Sequence, residues 1–414
     1  MSLQGPLIVV ADRPATDLIA AVSAAGAFPI VESTWADAPT AFVAVKPAAI
    51  VIAEAGEPPS ESAARMLCLQ IATLNGPMVP IVAVTNAGIP ALPIALPASS
   101  QPERVIARLQ SALRVRALHA TVLRRLDSFS GPTVPKLQSS DALDDATVLV
   151  AGRGPLYPAL STAMGERVKM VGALSIEAAA KHLEAREIDG VVVGDGFSPR
   201  MLESFLQLLA QDTRLRDLPV ALIGASASDI GLPNIDEVEP DPASIVARMM
   251  PLVRMHAFEA RLRRMLSSLD SGGMLDPATG LLTRDHFFRD LAKATAEASD
   301  RSQALSLARF SFDGSLDQRA GLDGARLVTR LIRAIDFATR DDDGAILIAF
   351  TQTSLRSAHV VARRIAGLLK TTMLMPHRAH AKVTANVTLA TLKAGDTPDT
   401  LMLRVLGSRM VAAE

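Results

Sequence analysis

The sequence predicts an α/β chain of three units: two doubly wound parallel-sheet units, then one α+β unit. Three observations carry this. Short apolar runs alternate with helical stretches over the first 126 residues, the alternation returns beyond residue 146, and the order of elements changes beyond residue 275. Strands that alternate with helices build a parallel sheet covered on both faces, because each crossover helix lies on the sheet.

In the first unit, strands are predicted at 7–10, 28–31, 49–53 and 79–84, and helices at 14–25, 34–45 and 60–75. Runs such as Leu7-Ile8-Val9-Val10 are apolar at consecutive positions, as doubly covered strands are. A helix over about 102–126 follows, with Val105, Ile106, Leu109, Leu113, Leu118, Val122 and Leu126 spaced as one stripe. Gly131-Pro132 and Pro135 are breakers, so 128–145 is predicted to be a linker. The pattern then repeats, with strands at 147–151, 189–195 and 218–223 and a second long helix over about 242–270. The repeat period, about 140 residues, is too long for a solenoid and indicates a duplicated unit. Gly272-Gly273 ends the second long helix; beyond it, strands are predicted at 304–312, 345–350 and 383–392 and helices at 284–298, 321–336 and 354–371. The units are assigned to 1–127, 146–271 and 272–414.

The apolar stripes of the two long helices are expected to pack on their own units or across a dimer. Their arginines are expected on a solvated face, the alternative being that they complete a ligand site from the second unit's side: Arg104, Arg108, Arg114, Arg116, Arg124 and Arg125 on the first, and Arg254, Arg261, Arg263 and Arg264 on the second.

Composition removes several function classes. With 42 Lys+Arg against 43 Asp+Glu over 414 residues, the net charge is -1, which argues against a nucleic-acid-binding protein. Aromatic residues are 3%, too few for base-stacking platforms. A single cysteine, Cys68, leaves no disulfide framework and no thiolate metal cage. No stretch of about 18 apolar residues occurs, so no membrane span is expected and the cytoplasm is the default location.

The third unit carries a recognisable motif. Leu275-Asp276-Pro277-Ala278-Thr279-Gly280-Leu281-Leu282-Thr283-Arg284 resembles the opening D-x-L-T-G-L-x-N-R of GGDEF domains, the diguanylate cyclase fold, with Asp276, Thr279, Gly280, Leu281 and Arg284 in register. Val383-Thr384-Ala385-Asn386-Val387-Thr388-Leu389-Ala390 is similar to the family's V-T-V-S-I-G-V-A strand. The resemblance implies a ferredoxin-like core with a G-G-[DE]-E-F turn, whose glycines admit GTP and whose acid holds Mg²⁺. At that place stands Arg340-Asp341-Asp342-Asp343-Gly344, one residue shorter and without both glycines. Ser311 occupies the place of the second metal acid in Arg309-Phe310-Ser311-Phe312-Asp313. No Asn lies between Asn234 and Asn386 to read guanine, and Lys393 is the last lysine, so the family's Lys in the final helix is missing. Ser311, Asp342 and Asp343 are therefore read as degenerate active-site positions. No enzymatic activity, no Mg²⁺ and no other metal or cofactor are expected.

One feature of the family is kept. Its inhibitory R-x-x-D site, which binds cyclic di-GMP five residues before the signature turn, falls on Arg333-Ala334-Ile335-Asp336. R-x-x-D also occurs at Arg124, Arg186, Arg214 and Arg340, so position singles out Arg333. Arg364 falls where the family carries a second arginine. An arginine fork donates to guanine O6 and N7 and pairs with phosphate, and a carboxylate accepts from guanine N1 and N2. The alternative is a plain helix-end ion pair, Arg333 with Asp336.

The two earlier units are similar to receiver (flavodoxin-like) domains of response regulators. Such domains need an acidic pair, a phosphoacceptor Asp, a Thr/Ser switch and a Lys. The first unit has Ala11-Asp12, Glu54 or Ala53 at the acceptor place, Thr85 at the switch and no Lys. The second has Gly152-Arg153, Asp195 as acceptor, Gly224 at the switch and Glu239 in place of Lys. Glu54, Thr85 and Asp195 are thus degenerate receiver positions, and phosphorylation of Asp195 is not expected. The whole chain resembles the PleD/PopA-like proteins, two receivers followed by GGDEF. That implies a cyclic di-GMP receptor or adaptor in bacterial two-component-like signalling, a homodimer, a protein partner and recruitment to a cell pole. A weak diguanylate cyclase and a nucleotide-independent dimerising scaffold are the alternatives.

Overall fold

The computed structural model describes residues 3–54, 60–73, 76–85, 94–128, 140–154, 156–165, 167–224, 230–312, 318–373 and 385–407. Strands β1 (Gln4–Val10), β2 (Phe28–Ser33), β3 (Ala49–Ala53), β4 (Ile81–Val84) and β5 (Ile94–Leu96) form the first sheet, with helices α1 (Thr16–Ala24), α2 (Ala38–Val45) and α3 (Glu61–Ala72) as crossovers. The sheet is parallel, in the order β2-β1-β3-β4-β5. Helix α4 (Pro102–Ser128) leaves it. The second sheet holds β6 (Thr147–Ala151), β7 (Lys169–Ala173), β8 (Gly190–Val193), β9 (Val220–Ile223) and β10 (Ile235–Val238). Its helices are α5 (Leu156–Met164), α6 (Ile176–Ala185), α7 (Pro199–Gln211) and α8 (Pro242–Leu269). Its order, β10-β9-β8-β6-β7, is the first sheet's read from the other edge, and both follow the flavodoxin-like 2-1-3-4-5 pattern. Helices start where short polar side chains accept an orphan N–H: Ser60 from Ala63, Ser175 from Ala178, Ser198 from Met201 and Asp241 from Ser244.

The third sheet is antiparallel, in the order β12-β13-β11-β14. Its strands are β11 (Leu305–Phe312), β12 (Phe337–Arg340), β13 (Ile346–Thr351) and β14 (Ala385–Thr391), and its helices are α9 (Arg284–Asp300), α10 (Gln318–Leu331), α11 (Leu355–Met373) and α12 (Pro398–Leu406). Alternate residues of β13 face opposite cores. Ile346, Ile348 and Phe350 join Ala362, Ile365 and Leu369 of α11, while Leu347 and Ala349 join Phe287 and Leu291 of α9. Helices on both faces explain why β13 is apolar throughout, although the sheet is antiparallel.

Three sequence expectations need correction. The helix predicted over 321–336 ends with α10 at Leu331, and a tight turn then leads into β12. That turn is closed by Asp336 N–H donating to the Arg333 carbonyl at 3.0 Å. Short strands β5, β7 and β10 carry no long apolar run, so only the sheet reveals them. The arginines of α4 are not on a solvated face: Arg108 is fully buried, and Arg116, Arg124 and Arg125 are nearly so. On α8 the expectation holds for Arg254, Arg263 and Arg264, but Arg261 is buried and paired with Asp145. Residues 129–139 of the expected linker lie outside the described residues.

Helices α4 and α8 pack on each other within one chain, joining Ala112, Val115, Leu118 and Val122 to Leu252, Met255, Leu262 and Leu266. Charge fixes the rest of α4. Arg104 and Arg108 bind Asp236 of β10 at 2.8 and 3.0 Å, and Arg114 binds Asp217 and Glu259. At the other end, Arg124 pairs with Glu297 at 3.5 Å and lies over the Phe337 ring, and Arg125 binds Asp270 and faces Asp290 at 3.7 Å. One helix thus ties the first sheet to the second and the third. Burial, with the nearby Arg301 charge, holds the Arg116 guanidinium down at about 9.

Candidate functional site

The motif that opens the third unit works as a clasp. The Asp276 carboxylate accepts from Ala278 N–H at 2.9 Å and from the Thr279 hydroxyl at 2.9 Å, and Gly280 N–H donates to the Asp276 carbonyl. Gly280 takes φ +71°, a left-handed turn that favours glycine. Leu282 N–H then donates to Ala338 of β12, and the Thr339 hydroxyl donates to the Leu282 carbonyl. This docking carries Arg284, at the start of α9, to the hairpin between β12 and β13.

That hairpin holds the three successive aspartates. Arg284 pairs with Asp341 at 3.1 Å and with Asp342, and Arg309 of β11 pairs with Asp343. Partial burial raises the Asp343 carboxyl, but the Ala345 N–H and Arg309 outweigh it and keep it below the usual range. Ser311 lies two residues beyond Arg309, on the same sheet face, opposite Asn386. Each hairpin acid is therefore paired with an arginine, Asp341 and Asp342 sharing one, and no group of three metal-ligating side chains occurs among the described residues. Asp313 lies outside the described residues.

Arg333 and Asp336 part company. The sequence placed both on an exposed helix end, but only Arg333 is exposed; Asp336 is 5% exposed. Asp336 accepts from the Thr351 N–H at 3.1 Å and from the Arg333 N–H at 3.4 Å, one on each carboxylate oxygen. Burial lifts its carboxyl to about 7, against the pull of Arg333 and those two N–H groups. Its role in this geometry is to fold the turn that presents Arg333. The Arg333 guanidinium makes no ion pair among the described residues and lines a cavity of about 220 Å³. Gln110 and Arg114 of α4, Gln352, Thr353 and Ser357 line it too. Of these, only Arg114 was singled out in the sequence, and Gln110 and Arg114 come from a helix of another unit. Arg364 is exposed on α11, seven residues beyond Ser357 and on the same helix face, about 10 Å along the axis.

About a third of the chain is similar to GGDEF domains of known structure. The coiled-coil and GGDEF domain of DgcB from Caulobacter crescentus, in complex with c-di-GMP, is 22% identical, with 36% of this chain and 85% of that chain covered and a TM-score of 0.31. The diguanylate cyclase SiaD of Pseudomonas aeruginosa, in complex with its activator SiaC, is 21% identical over 37% of this chain and 63% of that one, with a TM-score of 0.33. The FimX GGDEF domain of Pseudomonas aeruginosa is 21% identical over 32% and 89%, with a TM-score of 0.27. No protein-family profile and no curated protein matches the chain. The expectation that the chain is not an enzyme is withdrawn, since SiaD is a diguanylate cyclase and therefore an enzyme.

In the two parallel-sheet units, the positions singled out in the sequence lie at the carboxyl ends of strands. Glu54 follows β3 and accepts from the Thr85 hydroxyl at 2.7 Å, so these two are brought together. Asp195 follows β8 and is exposed; its carbonyl accepts from Arg153 N–H at 3.3 Å, and the Arg153 side chain lies against Gly196. Gly224 lies beside it, where an added Cβ would stand 3.5 Å from an Asp195 carboxylate oxygen. No described helix is long and apolar enough to cross a membrane.

Proposed function

We propose that the chain is a cyclic di-GMP receptor in two-component-like signalling, with two receiver-like units ahead of a GGDEF-like unit. The ligand lies against Arg333. The observation that carries this is an exposed arginine with no ion pair among the described residues, at the edge of a cavity of mixed polar and apolar lining, in a chain whose other cavity-lining arginine, Arg114, is bound to two acids. A fork of N–H donors that makes no ion pair among the described residues suits a phosphate or the guanine O6/N7 edge. Asp336 positions that fork from beneath, and Arg364 supplies a second cation along α11. With arginines as the phosphate's partners, this binding requires no metal. Bound ligand favours one arrangement of the units, and that arrangement presents or covers a surface for a protein partner.

Calorimetric titration of the full chain with cyclic di-GMP, with GTP as comparison and with EDTA present, tests this. Micromolar or tighter binding of cyclic di-GMP, about 8 kcal/mol, unchanged by EDTA, is the expected result. No heat with cyclic di-GMP would leave the scaffold function in its place.

A further inference from the structure

A second cavity, of about 540 Å³, lies in the first unit at the carboxyl ends of β1 and β2. Topology opens it. Helix α1 leaves β1 for the face it shares with α4, where Val22 joins Val105 and Leu109 in one core. Helix α2 leaves β2 for the opposite face, where Phe42 joins Ala64 and Leu67 of α3. The loops after these neighbouring strands therefore part, and parting loops leave a crevice outside the strand ends. Glu54 and Thr85, which bond to each other, do not line it, so it is separate from the acceptor place after β3. We propose that this cavity binds a small cationic zwitterion, of the basic amino acid class, independently of the site at Arg333.

Charge carries the assignment. Asp12 and Arg13, in the loop after β1, and Glu32, at the end of β2, line the cavity, are exposed and make no ion pair among the described residues. Opposite charges that share a cavity without meeting leave room between them for a molecule that carries both signs. Asp37 also lines the cavity, its carboxylate accepting from the Thr34 hydroxyl at 2.8 Å. A hydroxyl does not cancel that charge, so three acids stand against one guanidinium. The surplus favours a ligand with net positive charge.

A dinucleotide fits less well. Glu32 stands where dinucleotide-binding folds place the acid for the ribose, but Asp12-Arg13-Pro14-Ala15 has no glycine to let a pyrophosphate approach the backbone. In the proposed complex, the ligand carboxylate meets the Arg13 fork. Ala15, the N-cap of α1, offers no side-chain acceptor and leaves the helix's first N–H groups to the same anion. The ligand's cation meets Asp12 and Glu32, and its aliphatic stem lies over Val9 and Ala11. The volume lies within the range of small-molecule sites, about 300–1,000 Å³.

The test is a saturation-transfer NMR titration of the full chain. The probes are L-arginine, L-lysine, agmatine (arginine without its carboxylate) and L-glutamate. The variants are Arg13→Gln and Glu32→Gln, both at exposed positions, with circular dichroism to confirm the fold. The wild type is expected to bind L-arginine and L-lysine with a Kd of about 1 mM or below, agmatine more weakly and L-glutamate not at all. Arg13→Gln is expected to weaken L-arginine about fivefold and leave agmatine unchanged, and Glu32→Gln to weaken both about fivefold. Cyclic di-GMP affinity is expected to stay the same in both variants, so the two sites stand or fall separately. No saturable binding of L-arginine or L-lysine at about 10 mM, ten times that Kd, would overturn the proposal. So would L-glutamate binding as tightly as L-arginine, or equal L-arginine affinities in the wild type and both variants.

Discussion

At the scale of single residues, two buried titratable side chains make opposite demands. His119 of α4 accepts the Met78 N–H on Nδ1 at 3.1 Å and meets Phe258 edge-on at 5.0 Å. Burial, then the Arg116 charge, lowers it to about 4. Its folded value lies below its unfolded value of about 6.5, so its contribution is present above pH 6.5 and is lost as pH falls toward 4. Urea unfolding of the wild type is expected to lose up to about 3 kcal/mol over that window relative to His119→Gln. Parallel curves for the two proteins would show that the ring titrates normally. Asp336 is the second case. Asp336→Ala leaves the N–H of Thr351 buried without its acceptor and also removes the acceptor of Arg333, a loss of about 1–3 kcal/mol for each buried group. Denaturant midpoints check this, and a change under 0.5 kcal/mol, the scale of ordinary surface substitutions, would contradict the buried placement. The sequence located Arg333 by its position before the hairpin, but it placed Asp336 on a helix end. Helical periodicity runs on past Leu331, and only the tertiary contact with Thr351 shows where the turn begins.

At the scale of elements, α4 explains most of what was hidden. Its apolar stripe was legible, and Val105, Leu109, Leu118 and Val122 are all buried. Its arginines were not, because charge on a helix reads as solvent exposure until an acid from a distant segment is brought against it. Asp236 is 128 residues from Arg108, and both are essentially fully buried. Removing one partner of such a pair strands the other charge, which costs about 3–5 kcal/mol. Asp236→Ala is therefore expected to destabilise by that amount in equilibrium unfolding, and the double change Arg108→Met with Asp236→Leu to recover most of it. A single-variant loss under 1 kcal/mol would mean that the pair is solvated. The hairpin shows the converse. Its aspartates were legible as an acidic turn, but the partners Arg284 and Arg309 come from a helix and a strand that local sequence does not connect to it.

At the scale of the whole molecule, α4 is expected to make the units unfold together. Trp35 is the only tryptophan and lies in the first unit, so its fluorescence reports that unit, while far-ultraviolet dichroism reports all three. The two probes are expected to give coincident denaturant transitions. A fluorescence transition at clearly lower denaturant would show the first unit melting alone, and α4 would then not couple it to the others. The parallel character of both sheets was legible from alternation, although strands β5, β7 and β10 were not. The way the units meet was not, since the apolar contact of α4 with α8 is joined by buried ion pairs whose partners are distant in the sequence. The central claim concerns the ligand at Arg333, and one measurement addresses it most directly: the cyclic di-GMP affinity of Arg333→Ala beside Arg214→Ala. Arg214 is an exposed arginine of another R-x-x-D, paired with Asp212 at 2.7 Å. Loss of a charged fork is worth about 1.5–3 kcal/mol, so Arg333→Ala is expected to bind roughly tenfold to 150-fold more weakly, with Arg214→Ala unchanged. Equal affinities in wild type, Arg333→Ala and Arg214→Ala would contradict the account.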